Sequence, residues 1–307
     1  MKNNLKIKYF KHTEIDSEKW NRCIDRAENC RIYGYDWHLD RTAEIWDALI
    51  LGDYEFVMPL PYKIKLGIKY LYQPLYSQQL GIFPNPPDAV KKQFFDLLFH
   101  YFRFADFQIN SGNATVTYDN EIDFIPRKNY LLDLTRNYTE LSKAFSTNTK
   151  RNIKKANKNS LTLIRGIGLE EYLDFKSENL TAGLNKSAIK SLKNVIAYGQ
   201  YKGFGEIHGV YTRGNKLCAA AYFCRWKERA IYLNAVSNEE GKKLGGMYFL
   251  VDNFIKTHSG QNVIIDFEGS MILGLQRFYS GFGATAETYF QLKFNRLPLF
   301  FKWLKRK

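Results

Sequence analysis

No run of eighteen apolar residues exists in the chain, and even the stretch 94–107 is interrupted by Asp96, His100, Arg103 and Asp106. A bilayer-crossing helix needs about 20 apolar residues, so a membrane-spanning helix is excluded. The opening ten residues, MKNNLKIKYF, lack an apolar signal core, and the expectation is a protein that stays in the cytoplasm. Cysteine is scarce: Cys23, Cys30, Cys218 and Cys224 form two distant pairs without a C-x-x-C spacing. Reduced, buried thiols fit that pattern better than a disulfide framework. The five histidines, His12, His38, His100, His208 and His258, are scattered and none belongs to an H-E-x-x-H pair, so no metal site is expected. Acidic residues are also in deficit, 31 against 45 Lys and Arg, for a net charge of +14. That excess favours anionic partners: nucleotides, phosphorylated carriers, RNA or the inner leaflet of a membrane.

What remains is ordinary globular composition, 45% hydrophobic and 25% charged, with an unusual 16% of aromatics. The many tyrosines predict aromatic-lined grooves beside aromatic cores. A chain of 307 residues accommodates two domains of about 150 residues each.

The first half reads as a strand at 5–10 and an amphipathic helix capped by Asp16 that buries Trp20, Cys23, Ile24 and Ala27. A second helical stretch at 35–45 leads to strands at 47–51, 54–62 and 69–75, with turns at Gly52-Asp53 and Gly67. Pro84, Pro86 and Pro87 end this region; a helix at 88–103 and strands at 106–110, 114–118 and 130–134 follow. The second half reads as a basic helix at 139–158, a strand at 161–165 and helices at 169–180 and 186–201. Strands at 204–213, 216–226 and 229–236 come next, turning at Gly214-Asn215 and Lys227-Glu228. A loop at 237–246, a helix at 247–257, a strand at 262–267, a helix at 272–279 and a strand at 286–295 complete it. The segment FFDLLFHYFRFADFQINSG from Phe94 resembles YFLVDNFIKTHSGQNVIIDFEG from Tyr248 in pattern, about 155 residues later. We read a tandem duplication, with domains at 1–138 and 139–307. The meanders of strands predict a mixed α/β (α+β) fold whose mostly antiparallel twisted sheets are flanked by helices.

Three motifs of the second half add a family resemblance. Thr147-Asn-Thr-Lys-Arg-Asn-Ile-Lys-Lys-Ala resembles a helix bearing R-x-x-I-x-x-A. Leu244-Gly-Gly-Met-Tyr-Phe-Leu-Val-Asp precedes a strand ending Ile265-Asp-Phe-Glu-Gly. Gly274-Leu-Gln-Arg-Phe-Tyr-Ser-Gly-Phe-Gly resembles G…F-K-x-x-F-G, with Tyr279 where Lys is usual. In the first half, Gln73-Pro-Leu-Tyr-Ser-Gln-Gln-Leu-Gly resembles the segment before the first helix there. Together these resemble the FemAB-like branch of the GNAT superfamily, the peptidoglycan aminoacyltransferases and their acyltransferase relatives. The resemblance implies two GNAT folds, transfer of an acyl or aminoacyl group to an amine, no metal, and no tightly bound cofactor. Acyl-CoA or aminoacyl-tRNA would be the donor substrate. An amine on a cell-wall precursor, a lipid or a sugar would be the acceptor.

Candidate site residues follow from local chemistry. In a GNAT fold, backbone N–H groups at a helix start hold the donor's phosphates. The matching run here is Gly241, Lys242, Lys243, Leu244, Gly245 and Gly246. The leading Arg or Gln of the pattern R/Q-x-x-G-x-G/A is missing, and Leu244 occupies one glycine position. Asp266 and Glu268 sit two apart on one strand and so share a face, where a carboxylate could orient or deprotonate an amine; capping of the next helix is the alternative. Lys150, Lys154 and Lys158 form one helical stripe with Arg151 and Lys155 beside it, a ridge suited to tRNA phosphates, to a phosphorylated acceptor or to solvent. Arg277 and Tyr279 could reach a carboxylate or phosphate. The C-terminal 297–307 mixes aromatics with four cations, Lys302, Lys305, Arg306 and Lys307, and fits either peripheral contact with the inner membrane face or packing on the rest of the chain. No Ser or Cys occupies a nucleophile elbow, which favours direct attack over an acyl-enzyme. Two other functions fit the same residues: a non-catalytic RNA- or nucleotide-binding relative of the fold, and a carrier-dependent lipid or sugar N-acyltransferase.

Overall fold

A computed structural model describes residues 6–113, 122–179, 186–269 and 271–298. The elements run β1 (Ile7–Phe10), α1 (Ser17–Arg26), α2 (Asp36–Thr42), β2 (Ile45–Leu51), β3 (Phe56–Lys65), β4 (Ile68–Tyr72), α3 (Asp88–Tyr101), β5 (Phe104–Ile109) and β6 (Ile122–Asp133). They continue with α4 (Tyr138–Lys143), α5 (Thr147–Lys158), β7 (Thr162–Arg165), α6 (Leu169–Glu178), α7 (Lys186–Tyr201), β8 (Gly205–Tyr211), β9 (Leu217–Trp226) and β10 (Arg229–Ser237). The last are α8 (Glu239–Leu244), α9 (Gly246–His258), β11 (Ile264–Asp266), α10 (Leu273–Ser280) and β12 (Thr285–Asn295). The expected strand at 114–118 and the residues 299–307 of the expected membrane contact lie outside the described residues.

The chain forms two compact units, Met1–Arg127 with Thr288–Lys307, and Lys128–Glu287. The first holds strands in the order β1-β2-β3-β4-β5-β12, and the second β6-β11-β10-β9-β8-β7. Each unit repeats one plan, as the related segments at 94 and 248 lead one to expect. An antiparallel meander ends in a strand (β4, β10), a helix follows (α3, α9), and the next strand (β5, β11) returns parallel to the meander's last. A strand from the far end of the other sequence half then pairs antiparallel with it: β12 with β5, and β6 with β11. This is the mixed, mostly antiparallel architecture read from the sequence.

Local chemistry explains the boundaries. Asp16 caps α1 as expected, its Oδ1 accepting the N–H groups of Glu18 at 3.0 Å and Lys19 at 3.1 Å. The single helix expected at 139–158 is instead two. Ser146 ends the first by donating its own N–H to Gly281 O at 2.8 Å, and starts the second by accepting the Thr149 N–H at 3.1 Å. The loop expected at 237–246 is also corrected: Asn238 Oδ1 accepts the Gly241 N–H at 2.7 Å and caps the short helix α8. The second unit closes over an aromatic core in which Phe267 stacks on Tyr279 with centroids 4.8 Å apart. Burying each such ring contributes about 1.5–3 kcal/mol.

Candidate active site

Strands β10 and β11 pair over three positions only, Arg229↔Ile264 to Ile231↔Asp266. Beyond that point β11 is turned aside by two residues with left-handed backbone, Glu268 at φ 57° and Gly269 at φ 74°. Gly269 is required there, because a Cβ would lie 2.0 Å from Lys128 O. Strand β10 continues to Ser237 with β9 on one side, and a bulge between Tyr232 and Asn234 leaves Leu233 unpaired in that ladder. Among the described residues its other edge, from Tyr232 onward, has no strand partner. The gap between the strands is a cavity of about 550 Å³, bounded by this edge, the first turn of α9, the end of β11 and α10.

Tyr232, Phe267 and Tyr279 form an aromatic wall of the cavity. Burial above all, and then the nearby Glu268 carboxylate, push the Tyr279 phenol to a higher pKa than usual, so it keeps its proton. Glu268 lines the same cavity and is half-buried. Its backbone N–H donates to Asp266 Oδ1 at 3.0 Å, and Asp266 Oδ2 accepts from Arg229 Nη1 at 2.7 Å. Asp266 is buried and does not line the cavity. Of the two carboxylates read as sharing one face, only Glu268 therefore opens on the cavity. Asp266 faces Arg229, because the positive φ at Glu268 breaks the strand's alternation.

The glycine-rich run sits at the other end of the cavity. Gly241, Lys242 and Gly245 line it. Gly241 belongs to α8 and packs on β9, where a Cβ would lie 2.0 Å from Cys218 O. Gly245 takes φ 81° between α8 and α9, and Gly246 opens α9. Lys242 Nζ pairs with Glu239 Oε1 at 2.6 Å on the exposed side of α8, and Lys243 is exposed. The first N–H groups of a helix have no acceptor inside it, and the first turn of α9 meets the cavity at Met247 and Tyr248.

The cationic ridge is elsewhere in the same unit. Lys150, Lys154 and Lys158 line a separate groove of about 550 Å³ with Tyr138 and Phe145. Arg151 is exposed, with Nη2 donating to Asn148 Oδ1 at 2.9 Å. Arg277 is exposed on α10, outside the cavity lining.

Several cavity residues were not anticipated from the sequence. Asn234 receives the Tyr172 hydroxyl on Oδ1 at 2.6 Å, which orients the amide and leaves Nδ2 as its donor end. A lone Asn in the apolar strand RAIYLNAVS was the available signal. Tyr248 accepts from Asn148 Nδ2 at 3.1 Å and packs edge-on against Phe278, 4.8 Å between centroids. Among the described residues no group of three or more His, Cys, Asp or Glu side chains comes together as a metal-ligand set. No helix among them is long and apolar enough to cross a membrane.

The two parallel strand pairs, β4 with β5 and β10 with β11, mark a tandem of GNAT-like folds. Among solved structures, FemX is similar at 13% identity and TM-score 0.63, over 95% of this chain and 99% of that one. L-PGS from Bacillus licheniformis is similar at 10% identity and TM-score 0.54, over 94% and 95%. A tandem GNAT protein from the clavulanic acid biosynthesis pathway is similar at 10% identity and TM-score 0.53, over 94% and 98%. At these identities the likeness is one of fold. No family profile matches the chain, and no curated protein matches it in sequence.

Proposed function

We propose that this chain is an acyltransferase or aminoacyltransferase that moves its group to an amine by direct attack, with acyl-CoA or aminoacyl-tRNA as donor. The observation that carries this reading is the open edge of β10 facing Glu268 and Tyr279 across one cavity, with the start of α9 at its end. An extended donor bearing amides can add to such an edge as a strand would, while its phosphates meet the α9 N–H groups. Of the two tandem units, the second, Lys128–Glu287, would then carry the one donor site.

In this reading Glu268 takes a proton from the acceptor amine as the nitrogen attacks the donor carbonyl carbon. The new C–N bond forms as the C–S or C–O bond to the carrier breaks. Tyr279, still protonated, gives its proton to the leaving sulfur or oxygen. Backbone N–H groups on the open edge of β10 and the Asn234 amide would supply donors for the developing oxyanion. Asp266 positions Glu268 through its backbone N–H and does not touch substrate. Lys150, Lys154 and Lys158 favour charged tRNA among the donors, since three cations along one groove suit a phosphate backbone. The setting would be cytoplasmic.

Thermal-shift titration with coenzyme A, acyl-CoAs and charged tRNA in one buffer tests the reading. A ligand at 100 times its Kd stabilises the folded state by about 2.7 kcal/mol. A shift with either donor class supports transfer; a shift with uncharged RNA alone would replace it with the RNA-binding alternative.

A further inference from the structure

Four large apolar side chains stand in solvent at the start of α10: Met271 is 51% exposed, Ile272 65%, Leu273 67% and Leu275 40%. Elsewhere among the described residues of this unit, exposed large apolar residues are scattered singly, as Ile164 and Tyr201 are, which is ordinary for a protein surface. This cluster is contiguous and lies at the cavity, since Gly274 and Leu275 line it. It is also not needed to seat α10, which anchors through Phe278 and Tyr279 on its other turn.

The surroundings of the cluster are cationic. Helix α5 carries five cations and no acid, α8 two cations and two acids, and α10 one cation and no acid. These helices gather about the start of α9. Asn148 bonds Tyr248 at 3.1 Å, the Gly245 position faces Asn152 O, and Phe278 packs on Tyr248. One α8 acid, Glu239, is already taken by Lys242 at 2.6 Å. A short apolar tip amid a surplus of Lys and Arg has the composition of an interfacial membrane anchor, which buries its apolar part at the acyl boundary and holds anionic headgroups with its charges. A protein partner would have to bring an apolar counter-surface ringed by acidic groups, whereas an anionic bilayer supplies both at once.

We infer that Met271, Ile272, Leu273 and Leu275 form a docking tip that enters the surface of an anionic bilayer, with Lys242, Lys243 and Arg277 engaging its headgroups. The tip stands on exposure and charge alone and does not depend on the transferase reading. If that reading also holds, the cavity opens at the bilayer surface.

Flotation of the full chain with vesicles tests it. Phosphatidylglycerol-containing vesicles should carry the protein, and pure phosphatidylcholine vesicles should carry about tenfold less. The exposed double substitution Ile272→Ser with Leu273→Ser should weaken partition to the anionic vesicles by about tenfold or more with an unchanged melting temperature. Lys242→Gln with Lys243→Gln should weaken it several-fold and flatten its salt dependence. Binding that is indifferent to the Ser pair overturns the inference. So does the absence of vesicle binding, above all if the wild type self-associates on a sizing column and the Ser pair does not, since a second copy would then cover the tip. Glu268→Gln, a change in the proposed chemistry, should float like the wild type, so a failure of the transferase reading would leave this result standing.

Discussion

Asp266 accepts the backbone N–H of Glu268 at 3.0 Å while its second oxygen holds Arg229 at 2.7 Å. One buried carboxylate thus ties the last paired residue of β11 to the start of β10 and fixes the residue at the cavity in left-handed backbone. That conformation costs a non-glycine residue about 1–2 kcal/mol, a cost common at functional positions.

Replacing Glu268 by Gln should lower kcat by about 100-fold or more while leaving donor affinity within a few-fold, because only proton removal is lost. Steady-state kinetics with the donor identified by thermal shift would check it. A variant with near-normal kcat would remove Glu268 from the chemistry.

Asp266→Ala should act through stability. It strands Arg229, which is 20% exposed, and removal of one partner of a buried pair costs about 3–5 kcal/mol. Partial exposure places the expected loss near the lower bound, about 3 kcal/mol, measured by urea denaturation. A change below about 0.5 kcal/mol would mean that the pair does not organise the splay.

His38 sets a pH dependence in the first unit. Burial lowers its pKa to about 4, with the Arg41 charge adding to the fall and the Tyr76 carbonyl opposing it. Its Nε2–H donates to Tyr76 O at 2.9 Å in the neutral form. The folded pKa is below the unfolded value, so this contribution is complete above about pH 6.5 and is lost as pH falls towards 4. The loss is about 3 kcal/mol at most. His38→Gln, which can keep the donor, should lose less stability than the wild type between those pH values; parallel denaturation curves would show no such role.

The ridge makes a salt-resolved prediction. Changing Lys150, Lys154 and Lys158 together to Gln should weaken charged-tRNA binding and lower the slope of log affinity against log salt by about 2–3. Donor binding by an acyl-CoA should be unaffected, since these residues line a different groove. An unchanged slope would make the ridge a solvated face.

Much of this was legible in the chain. The Asp16 cap, the meanders, the turns at Asn215 and Lys227, and the paired segments at 94 and 248 all depend on neighbours within a few residues or on period. Where sequence reading failed, longer-range contacts overrode local preference. A glycine inside a helix, as at Gly241, costs about 1 kcal/mol relative to Ala. It is tolerated because α8 lies so close to the carbonyl of Cys218 that no side chain fits. The break at Ser146 depends on Gly281, far along the sequence. In the site, alternation placed Asp266 and Glu268 on one face, and the positive φ at Glu268 undid it. The cavity's Asn234 and Tyr248 are brought in by Tyr172 and Asn148, which no spacing in the sequence announces.

The partition of the strands has a temporal consequence. Pairing of β12 with β5 runs from Phe290 to Asn295, and the Arg296 N–H closes on Arg103 O at 2.7 Å. During synthesis the first unit to begin is therefore the last that can finish, holding an unpaired β5 edge until residues 290–296 emerge. The second unit is continuous from Lys128 to Glu287 and can complete itself while that edge waits. The usual order of folding from the N-terminus is thus inverted, and a nascent chain that has emerged from the ribosome only as far as residue 287 would present a finished second unit beside an open first one.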